Sequence, residues 1–345
     1  MTTATSIASG SPQSFTDPLV LEAELDHVFR PSWICAGHIS QLKEAGDFIT
    51  MNLFGAPIIV LRDEEGEIRA LSNVCLHRSM PIATGCGNAQ VLTCPYHLWA
   101  YGLDGHLKST PLMRSEEIDK DLYRLPCLAI EIWQGFIFVN RNSDPEPLTP
   151  QLAPLTEFLA PHGMDQMVHV GTLDYPSPWN WKVMVENFME AYHHIGPHQN
   201  SLQTIFPAHQ SSQINLTGPF SVLDMPGTDD RAAFLALCIY PNTLLAIDTT
   251  NPRYLNWFQM SNIEQGHFDL SVHVFLEPGQ ANDPDTVKAS LALTDGIHQE
   301  DIVMCEGVQT GVQSPFATMG PLADIEAPVA HFRNWVDEQL SRQGT

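Results

Sequence analysis

Two short loops that each carry one cysteine and one histidine constrain this chain more than any other feature of its sequence. The first is Cys75-x-His77, and the second, Cys94-x2-His97, follows after sixteen residues. Thiolates and imidazoles are the ligands of structural zinc and of iron–sulfur clusters. Both loops lie between strand-like segments. The sequence therefore predicts two hairpin loops that bring four soft ligands to one metal centre.

The distribution of these ligands favours an iron–sulfur cluster over zinc. Zinc fingers usually pair Cys with Cys in one knuckle and His with His in another, whereas each loop here offers one of each. A Rieske-type [2Fe–2S] cluster is held by two Cys on one iron and two His on the other. Cys75 and Cys94 are thus candidate ligands of one iron, and His77 and His97 of the other. Zinc remains the alternative on spacing alone.

A second concentration of histidines follows a predicted helix. The pattern from Trp181 to His194 is helical and stops at Gly196–Pro197, because proline cannot continue a helix. Glu190 and His193 would then lie three residues apart on one helical face, and His198 would fold back toward them after the break. Two His and one carboxylate form the facial triad of non-haem iron sites.

The carboxylate of such a triad must come from elsewhere in the chain. Residues 284–311 are predicted to form a late helix, which carries the candidates Asp295, Glu300, Asp301 and Glu306. A helix end with solvated histidines near its dipole is the plainer interpretation of the same residues. His194 competes with His193 as a ligand and is assigned to the surroundings of the site instead.

Together, both motifs resemble the oxygenase α subunits of the Rieske non-haem iron oxygenases of the ring-hydroxylating type. The resemblance covers most of the chain. The segments that carry it are Arg30–Trp33, Gly66–Cys75, Cys94–His97, Trp133–Val139, Asn187-x2-Glu190-x-Tyr192-His193-x4-His198 and Glu300–Val303.

The resemblance implies a role for each matched residue. Cys75, His77, Cys94 and His97 would hold the cluster, and His193, His198 and Asp301 would hold a mononuclear Fe(II). Glu190 would be a bridging carboxylate, hydrogen-bonded to His193 and to His97 of a neighbouring subunit. Members of the family are commonly rings of three, which predicts a homotrimer.

The activity implied is the O2- and NAD(P)H-dependent hydroxylation of a small organic compound, with an aromatic substrate as the first expectation. A separate reductase, with or without a ferredoxin, would supply the electrons. One alternative is an N- or O-demethylating monooxygenase that accepts quaternary ammonium substrates, which need an aromatic cage. Candidate cage residues are Phe188, Phe206, Trp257 and Phe258, although core packing is the commoner role. The other alternative is an electron carrier without oxygenase activity.

The chain departs from the family pattern at three places. Many members have Gly where this chain has Ser79 and Leu98, and a larger side chain there bears on the shape of the cluster loops. Many members have Asp where this chain has Glu190. The chain is also shorter than many ring dioxygenase α subunits, so an accompanying β subunit is left open.

The predicted fold class is α+β, with a small all-β Rieske domain inserted before an antiparallel-sheet catalytic domain with flanking helices. The predicted domains are 1–40, an N-terminal helix on the catalytic domain; 41–145, the Rieske domain; and 146–345, the catalytic domain. Residues 1–17 are predicted to be a disordered lead-in without a secretory signal.

Composition excludes several classes of partner. The formal net charge of −24 argues against nucleic acids and anionic membrane surfaces, which attract basic proteins. The sequence contains no run of about 18 apolar residues, so no membrane span is predicted. The seven cysteines are an odd number and, without a signal peptide, indicate reduced thiols or metal ligands. The expected location is cytoplasmic.

Overall fold

The structure is a computed structural model that describes residues 10–228, 233–249 and 254–342. Its contacts divide the chain into two units, Trp33–Thr149 and Met1–Ser32 with Pro150–Thr345. We call the first the β unit and the second the α+β unit.

The β unit is built from short antiparallel strands. Its strands are β1 (Ile34–His38), β2 (Asp47–Leu53), β3 (Ala56–Arg62), β4 (Ile68–Ser72), β5 (Cys86–Asn88), β6 (Leu92–Thr93), β7 (Ala100–Tyr101), β8 (Leu107–Ser109), β9 (Ala129–Trp133) and β10 (Phe136–Asn140). Within this described unit they pair in the orders β1-β10-β9, β4-β3-β2-β5 and β6-β7-β8.

The predicted limits of this domain, 41 and 145, are both too narrow. Strand β1 pairs along β10, with Ile34 opposite Val139, so its residues belong with the β unit. At the other end, the carboxylate of Glu131 accepts hydrogen bonds of 2.8 Å from the backbone N–H groups of Leu148 and Thr149. Pairing between distant parts of the chain, which composition does not reveal, sets both limits.

A tight turn divides the apolar segment at residues 130–139 into two strands. Gln134 and Gly135 both have positive φ, 50° and 81°. Two successive residues of this kind form the hairpin turn whose twist matches that of paired strands. Strands β9 and β10 therefore fold back on each other, with Trp133 opposite Phe136.

The core of the β unit reaches directly beneath the two cysteine–histidine loops. Cys75 and Cys94 are 2% and 1% exposed and belong to the same buried cluster as Leu71, Trp99 and Tyr101. Burial of these side chains stabilises the loops that carry the candidate ligands.

The α+β unit contains one long antiparallel sheet among its described residues. Its strands are β11 (Val168–Ser177), β12 (Ser212–Gln213), β13 (Phe220–Met225), β14 (Phe234–Ile239), β15 (Thr243–Asp248), β16 (Tyr254–Glu264) and β17 (His267–Leu276). They lie in the order β11-β17-β16-β15-β14-β13-β12, an up-and-down meander from β12 to β17 with β11 added at the edge. Apolar residues on alternate positions, such as Phe268, Leu270 and Val272, are fully buried.

Helices flank this sheet. The α-helices are α1 (Pro12–Thr16), α2 (Pro18–Glu24), α3 (Leu148–Gln151, at the join of the two units in the chain), α4 (Ala153–Leu159), α5 (Trp181–Phe188), α6 (Leu202–Ile205), α7 (Pro278–Ala281), α8 (Pro284–Val312) and α9 (Ala327–Ser341). Asp283 caps α8 by accepting from the N–H of Thr286, and Pro284 occupies its first turn. Helix α8 packs against β11, β17 and α5.

The N-terminal segment is ordered earlier than predicted. Residues Pro12–Thr16 form α1, and Phe15 is 1% exposed, so the predicted disorder is wrong from residue 12 onward. The part of that prediction on residues 1–9 lies outside the described residues. Glu24 at the end of α2 forms a fully buried ion pair with Lys182 of α5 and accepts 2.8 Å from the indole N–H of Trp181. Breaking such a pair costs about 3–5 kcal/mol, so α2 is firmly joined to α5.

Among the described residues, none of the helices combines the length and apolarity that crossing a membrane requires.

Candidate functional site

The two cysteine–histidine loops have the same backbone shape. In the first, the N–H of Ser79 donates to the carbonyl of Cys75 at 3.0 Å; in the second, the N–H of Leu98 donates to the carbonyl of Cys94 at 3.1 Å. Ser79 and Leu98 have φ of 57° and 58°, the left-handed region that glycine enters at the lowest cost. The loop geometry is thus retained in spite of the larger side chains, at a cost of about 1–2 kcal/mol each.

The ligand side chains of these loops divide by chemistry. The thiols of Cys75 and Cys94 are buried and lie within hydrogen-bonding reach of each other, and burial raises the pKa of Cys94. The rings of His77 and His97 lie nearer the surface, with centroids 4.7 Å apart. Tyr101 places its hydroxyl 3.4 Å from the Cys75 sulfur and accepts 3.0 Å from the N–H of Leu76.

This arrangement fits a two-iron cluster better than a single zinc ion. Among the described residues, one group of three or more Cys, His, Asp or Glu side chains has its ligand atoms within 4.8 Å of one another. That group contains no residue of the two loops. The four loop side chains do not converge on one point. Two buried sulfurs and two outer imidazoles match instead the division of ligands between the irons of a Rieske cluster.

The helix predicted to run to His194 ends earlier, and that prediction is wrong. Helix α5 stops at Phe188, and a separate 3₁₀ turn covers Tyr192–Ile195. Glu190 lies between the two elements, and its carboxylate accepts 3.0 Å from the backbone N–H of His193 and 2.6 Å from its ring Nδ1. Glu190 therefore orients the imidazole of His193 through two bonds, without sharing a helix with it.

The close group of ligand atoms consists of His193, His198 and Asp301. The Oδ1 atom of Asp301 lies 3.5 Å from His193 Nε2 and 2.9 Å from His198 Nε2. Asp301 comes from α8, and the two histidines come from the segment after α5. Two imidazoles and one carboxylate on one side of a point are the donor set of a non-haem iron site, so these residues fit the group that the sequence predicts.

The other candidate residues lie around this group. Glu300 accepts 2.6 Å from His198 Nδ1 and 2.6 Å from the hydroxyl of Ser201, and so orients the second imidazole. Asp295 accepts from Tyr175, and Glu306 is exposed. His194 is buried, and its Nδ1 lies 3.1 Å from the carbonyl of Phe206. Burial lowers the pKa of His194 to about 4, so it is neutral.

Asp301 and His198 shift each other's pKa in opposite directions. Burial disfavours the Asp301 carboxylate most strongly, but the hydrogen bond to His198 and the nearby histidine rings together hold its pKa below the ordinary value. Burial likewise disfavours a charged His198, yet its carboxylate partners Asp301 and Glu300 raise its pKa. Anionic oxygen and imidazole are therefore held together at neutral pH, which is the state in which carboxylates bind metal ions.

A mainly apolar cavity of about 80 Å³ opens onto the group. Its wall includes aromatic rings, polar side chains from the sheet and α8, and the group itself. The aromatic members are Phe188, Phe234, Tyr254 and Phe258, and the polar members outside the metal group are Asn187, Glu190, His194, Asn256, Thr294 and His298. No Lys or Arg is among the described residues that line it.

Several of these residues escaped the sequence analysis. Of the predicted cage residues, Phe188 and Phe258 line the cavity, whereas Trp257 stacks on His273 at 4.5 Å and Phe206 packs on Phe234. His298 was missed, although helical spacing from Asp301 places it one turn earlier on the same face. Other lining residues of β14, β15 and β16, such as Ala236, Ala246 and Asn256, gave no signal, because only the packing of the sheet brings them to the cavity.

Comparison with known proteins identifies the class. Residues 32–129 match the Rieske [2Fe-2S] domain, and residues 164–233 and 221–342 match the ring hydroxylating alpha subunit catalytic domain. These two domains, in this order, define a Rieske-type non-haem iron oxygenase. The chain belongs to the family of ring-hydroxylating oxygenase α subunits, and the predicted fold class is confirmed.

Curated relatives and solved structures cover between about half and nearly all of the chain. Choline monooxygenase of Atriplex hortensis is 27% identical over 94% of this chain and 76% of its own length. The glycine betaine monooxygenase oxygenase subunit of Chromohalobacter salexigens is 34% identical over 56% of this chain and 44% of its own. The quaternary ammonium Rieske monooxygenase CntA with L-carnitine superposes with a TM-score of 0.85 at 24% identity, covering 95% of this chain and 94% of CntA.

Naphthalene 1,2-dioxygenase from Rhodococcus has the same fold, with a TM-score of 0.84 at 19% identity over 97% of this chain and 94% of that one.

Membership of the family implies a Rieske cluster, a mononuclear iron and O2 as co-substrate, with NAD(P)H oxidised by a separate reductase. The chain is therefore an oxygenase component, and an electron carrier without a catalytic domain is set aside.

Proposed function

We propose that this chain is the oxygenase subunit of a monooxygenase that oxidises a small quaternary ammonium compound. Cys75, His77, Cys94 and His97 would hold the cluster, and His193, His198 and Asp301 the mononuclear iron. The single observation that carries the choice of substrate is the cavity over this group, whose described lining includes aromatic rings and neither Lys nor Arg.

The chemistry of the cavity suits a compact cation. Aromatic faces attract quaternary ammonium groups by about 0.5–2 kcal/mol each, more when the cation is desolvated. Phe188 and Phe258 meet edge to face at 5.0 Å beside the carboxylates of Glu190 and Asp301. The choline, glycine betaine and carnitine monooxygenases among the relatives point the same way.

When bound, the cluster supplies one-electron storage and the mononuclear iron supplies the activation of O2. In the overall reaction one oxygen atom enters a C–H bond of the substrate, and the other leaves as water. NAD(P)H and one proton supply the two electrons and two protons required. Glu190 and Glu300 keep His193 and His198 oriented, and the apolar wall excludes water from the substrate.

The test is a substrate comparison with the purified, iron-loaded oxygenase, a reductase, NADH and O2. Choline, glycine betaine and carnitine are compared with 3,3-dimethylbutan-1-ol, in which an uncharged carbon replaces the nitrogen of choline, and with indole as the aromatic alternative. We expect at least one quaternary ammonium compound to gain one oxygen or release formaldehyde, while the uncharged isostere is a poor substrate. Oxygen insertion into indole alone would show that the first expectation, an aromatic substrate, is correct.

Product masses distinguish monooxygenation, which adds one oxygen atom or releases formaldehyde, from dioxygenation, which adds two oxygen atoms. A gain of two oxygen atoms without formaldehyde would defeat monooxygenation and demethylation alike. The variant Asp301→Ala is the control for NADH oxidation that is not linked to product, because it removes a candidate iron ligand.

We further propose that three copies form a ring in which the cluster loops of one subunit contact the catalytic group of the next. Glu190 and His193 also line a second cavity of about 390 Å³, with Met304, Val308 and Arg333 on its wall. A carboxylate that holds one iron ligand and faces this opening is suitably placed to bond an imidazole from a neighbouring copy.

The cluster loops carry exposed apolar side chains, as expected of a surface that contacts a neighbouring subunit. Beside the exposed His77 lie the apolar side chains of Met80, Tyr96 and Leu98, which are 40%, 54% and 57% exposed. Exposed apolar groups in one place mark surfaces for protein contact. The strained φ of Leu98 costs stability without burying its side chain in the β unit, which supports a role for Leu98 in such a contact.

Mixed assemblies test this arrangement. Subunits with His97→Ala and subunits with Asp301→Ala are each expected to be inactive, and co-refolded or co-expressed mixtures are expected to regain part of the activity. Recovery requires that an intact cluster serves the iron site of another copy. Mixtures that stay inactive while light scattering shows hybrid trimers would contradict the proposal, as would a monomer in solution.

A further inference from the structure

One polar side chain of the substrate cavity has no internal hydrogen-bond partner among the described residues. His298 is 1% exposed, yet neither Nδ1 nor Nε2 of its ring has a partner. The ring is held by aromatic neighbours instead, with Tyr175 at 4.5 Å and Phe258 at 5.9 Å between centroids. A buried polar group left in this state costs about 1–3 kcal/mol, so its retention in the cavity wall requires a reason.

The neighbouring polar residues of the wall do not share this condition. Asn256 donates 3.1 Å to the hydroxyl of Tyr254 and accepts from Thr294 at 3.5 Å, and the hydroxyls of Tyr254 and Thr294 contact each other. These three side chains satisfy one another within the wall. His298 differs from them in having both nitrogens available to a molecule in the cavity.

His298 lies close to the candidate iron ligand Asp301 in the cavity wall. It lies on α8 three residues before Asp301, and Thr294, Ile297, His298 and Asp301 all line the same space. A group bound by His298 would therefore be held about one helical turn, ~5 Å, from the candidate iron ligand.

The chemistry of the wall limits what that group can be. No Lys or Arg lies among the described lining residues, so no side chain beside His298 offers an ion-pair partner to a substrate carboxylate. Burial also lowers the pKa of His298, which keeps the ring neutral, with one nitrogen that donates and one that accepts. Such a ring pairs well with a hydroxyl group, which can both accept and donate.

We propose that His298 is the hydrogen-bonding anchor of the substrate and binds an uncharged oxygen, a hydroxyl or a carbonyl, at the end of the molecule opposite its apolar or trimethylammonium group. This inference rests on the cavity being the substrate site and deepens the proposed function. It implies that a trimethylammonium alcohol is bound in preference to a trimethylammonium carboxylate.

The test measures binding to the anaerobic, iron-loaded protein by titration calorimetry, with pairs of ligands that differ in one oxygen. The first pair is choline and ethyltrimethylammonium; the second is benzyl alcohol and toluene. The variants are His298→Phe, which fills the space without hydrogen bonds, and His298→Gln, which keeps a donor and an acceptor. His267→Gln is the matched control, because the His267 side chain on β17 is 40% exposed and lies outside the cavity.

We expect His298→Phe to weaken choline binding about five- to tenfold and to leave ethyltrimethylammonium unchanged, since one hydrogen bond is lost. His298→Gln should restore part of the difference, and His267→Gln should have no effect. Equal losses for both members of a pair would show that the ring only packs, and would overturn the proposal.

The outcomes for the parent protein separate this proposal from the proposed function. If it binds neither ammonium compound but binds benzyl alcohol more tightly than toluene through His298, the substrate class fails and the anchor stands. If it binds no oxygen-bearing member more tightly than its partner in either pair, the anchor fails, and the reaction with the ammonium substrates is then judged by its products alone.

Discussion

The side-chain carbonyl of Gln309 on α8 accepts a 2.8 Å hydrogen bond from the backbone N–H of Asn180, the residue that caps α5. This bond joins the helix that carries Asp301 to the helix that leads to His193 and His198. Both groups are buried, Gln309 at 6% and Asn180 at 2% exposure. The geometry of the candidate iron site thus depends on a contact outside it.

Replacing Gln309 with Ala should therefore loosen the site as well as the fold. The backbone N–H of Asn180 would lose its partner, which costs about 1–3 kcal/mol of unfolding free energy. We expect a lower melting temperature and weaker iron retention on dialysis against a chelator. Gln299→Ala, at an exposed position of the same helix, is the control and should match the parent. Unchanged iron retention would show that the helices hold their spacing without this bond.

Replacing His193, His198 or Asp301 with Ala should remove the mononuclear iron and leave the cluster in place. The cluster ligands lie in the β unit, and none of the three residues belongs to it. We expect iron to fall from about three to about two atoms per chain, with unchanged acid-labile sulfide and visible absorption. Turnover should be lost. Loss of the cluster spectrum together with the iron would contradict separate centres.

Replacing Tyr101 with Phe should lower the reduction potential of the cluster. A hydroxyl donating to the Cys75 sulfur withdraws negative charge and stabilises the reduced state. One such bond is worth about 1 kcal/mol, which corresponds to about 40 mV for one electron. Redox titration followed by absorption measures the shift. Tyr123→Phe is the control, because Tyr123 contacts Trp99 by its ring; an equal shift in both variants would exclude the hydrogen bond as the cause.

Replacing Leu98 with Gly should separate folding from assembly. The change relieves the positive φ of 58° and exposes little new surface, so stability should stay the same or rise by up to about 1 kcal/mol. Assembly should weaken, because an exposed apolar side chain of the cluster loop is lost. Leu112, with φ of 66° and a fully exposed side chain, is the matched control.

Analytical ultracentrifugation at decreasing concentration compares the two glycine variants. Dissociation of Leu98→Gly at concentrations where Leu112→Gly stays assembled is the expected result. Equal dissociation curves would remove Leu98 from the proposed interface.

Stability should fall between pH 6.5 and 5, in part through His273. Burial lowers the pKa of this ring to about 3, so it stays neutral in the folded chain while the unfolded chain takes up a proton below about 6.5. A depressed folded pKa gives stability that is present above the unfolded value and lost as the pH falls, at about 1.4 kcal/mol per pH unit. The ring is bonded to Thr172 and Gln259 at 3.0 Å each.

His273→Gln can keep both hydrogen bonds and cannot titrate. We expect its melting temperature to decline less than that of the parent between pH 7 and pH 5.5. His267→Gln, on the same strand with a side chain that is 40% exposed, should follow the parent. Parallel decline in all three proteins would mean that other groups account for the acid sensitivity.

Much of the β unit and of the sheet was predictable, because the signals are local. Strands such as β2 and β15 have turn residues at their ends. Each cluster loop carries its cysteine and its histidine within four residues of sequence. The break of the hairpin at Gln134–Gly135 and the end of α5 at Phe188 were not predicted. In each case a backbone conformation or a side-chain cap overrides the apolar periodicity on which the prediction relied.

By itself, the sequence determined the chemistry of the metal centres, since ligand type and short spacing along the chain set which metals can be held. Spacing along the chain left four acidic residues of α8 open, and the family resemblance pointed to Asp301. The tertiary structure brings that carboxylate to His193 and His198, because the rotation of one helix against another follows from packing over its whole length. The same packing places His298 and the residues of β14 to β16 around one cavity. Contacts between residues far apart in the chain have no local signature, and the substrate depends on them.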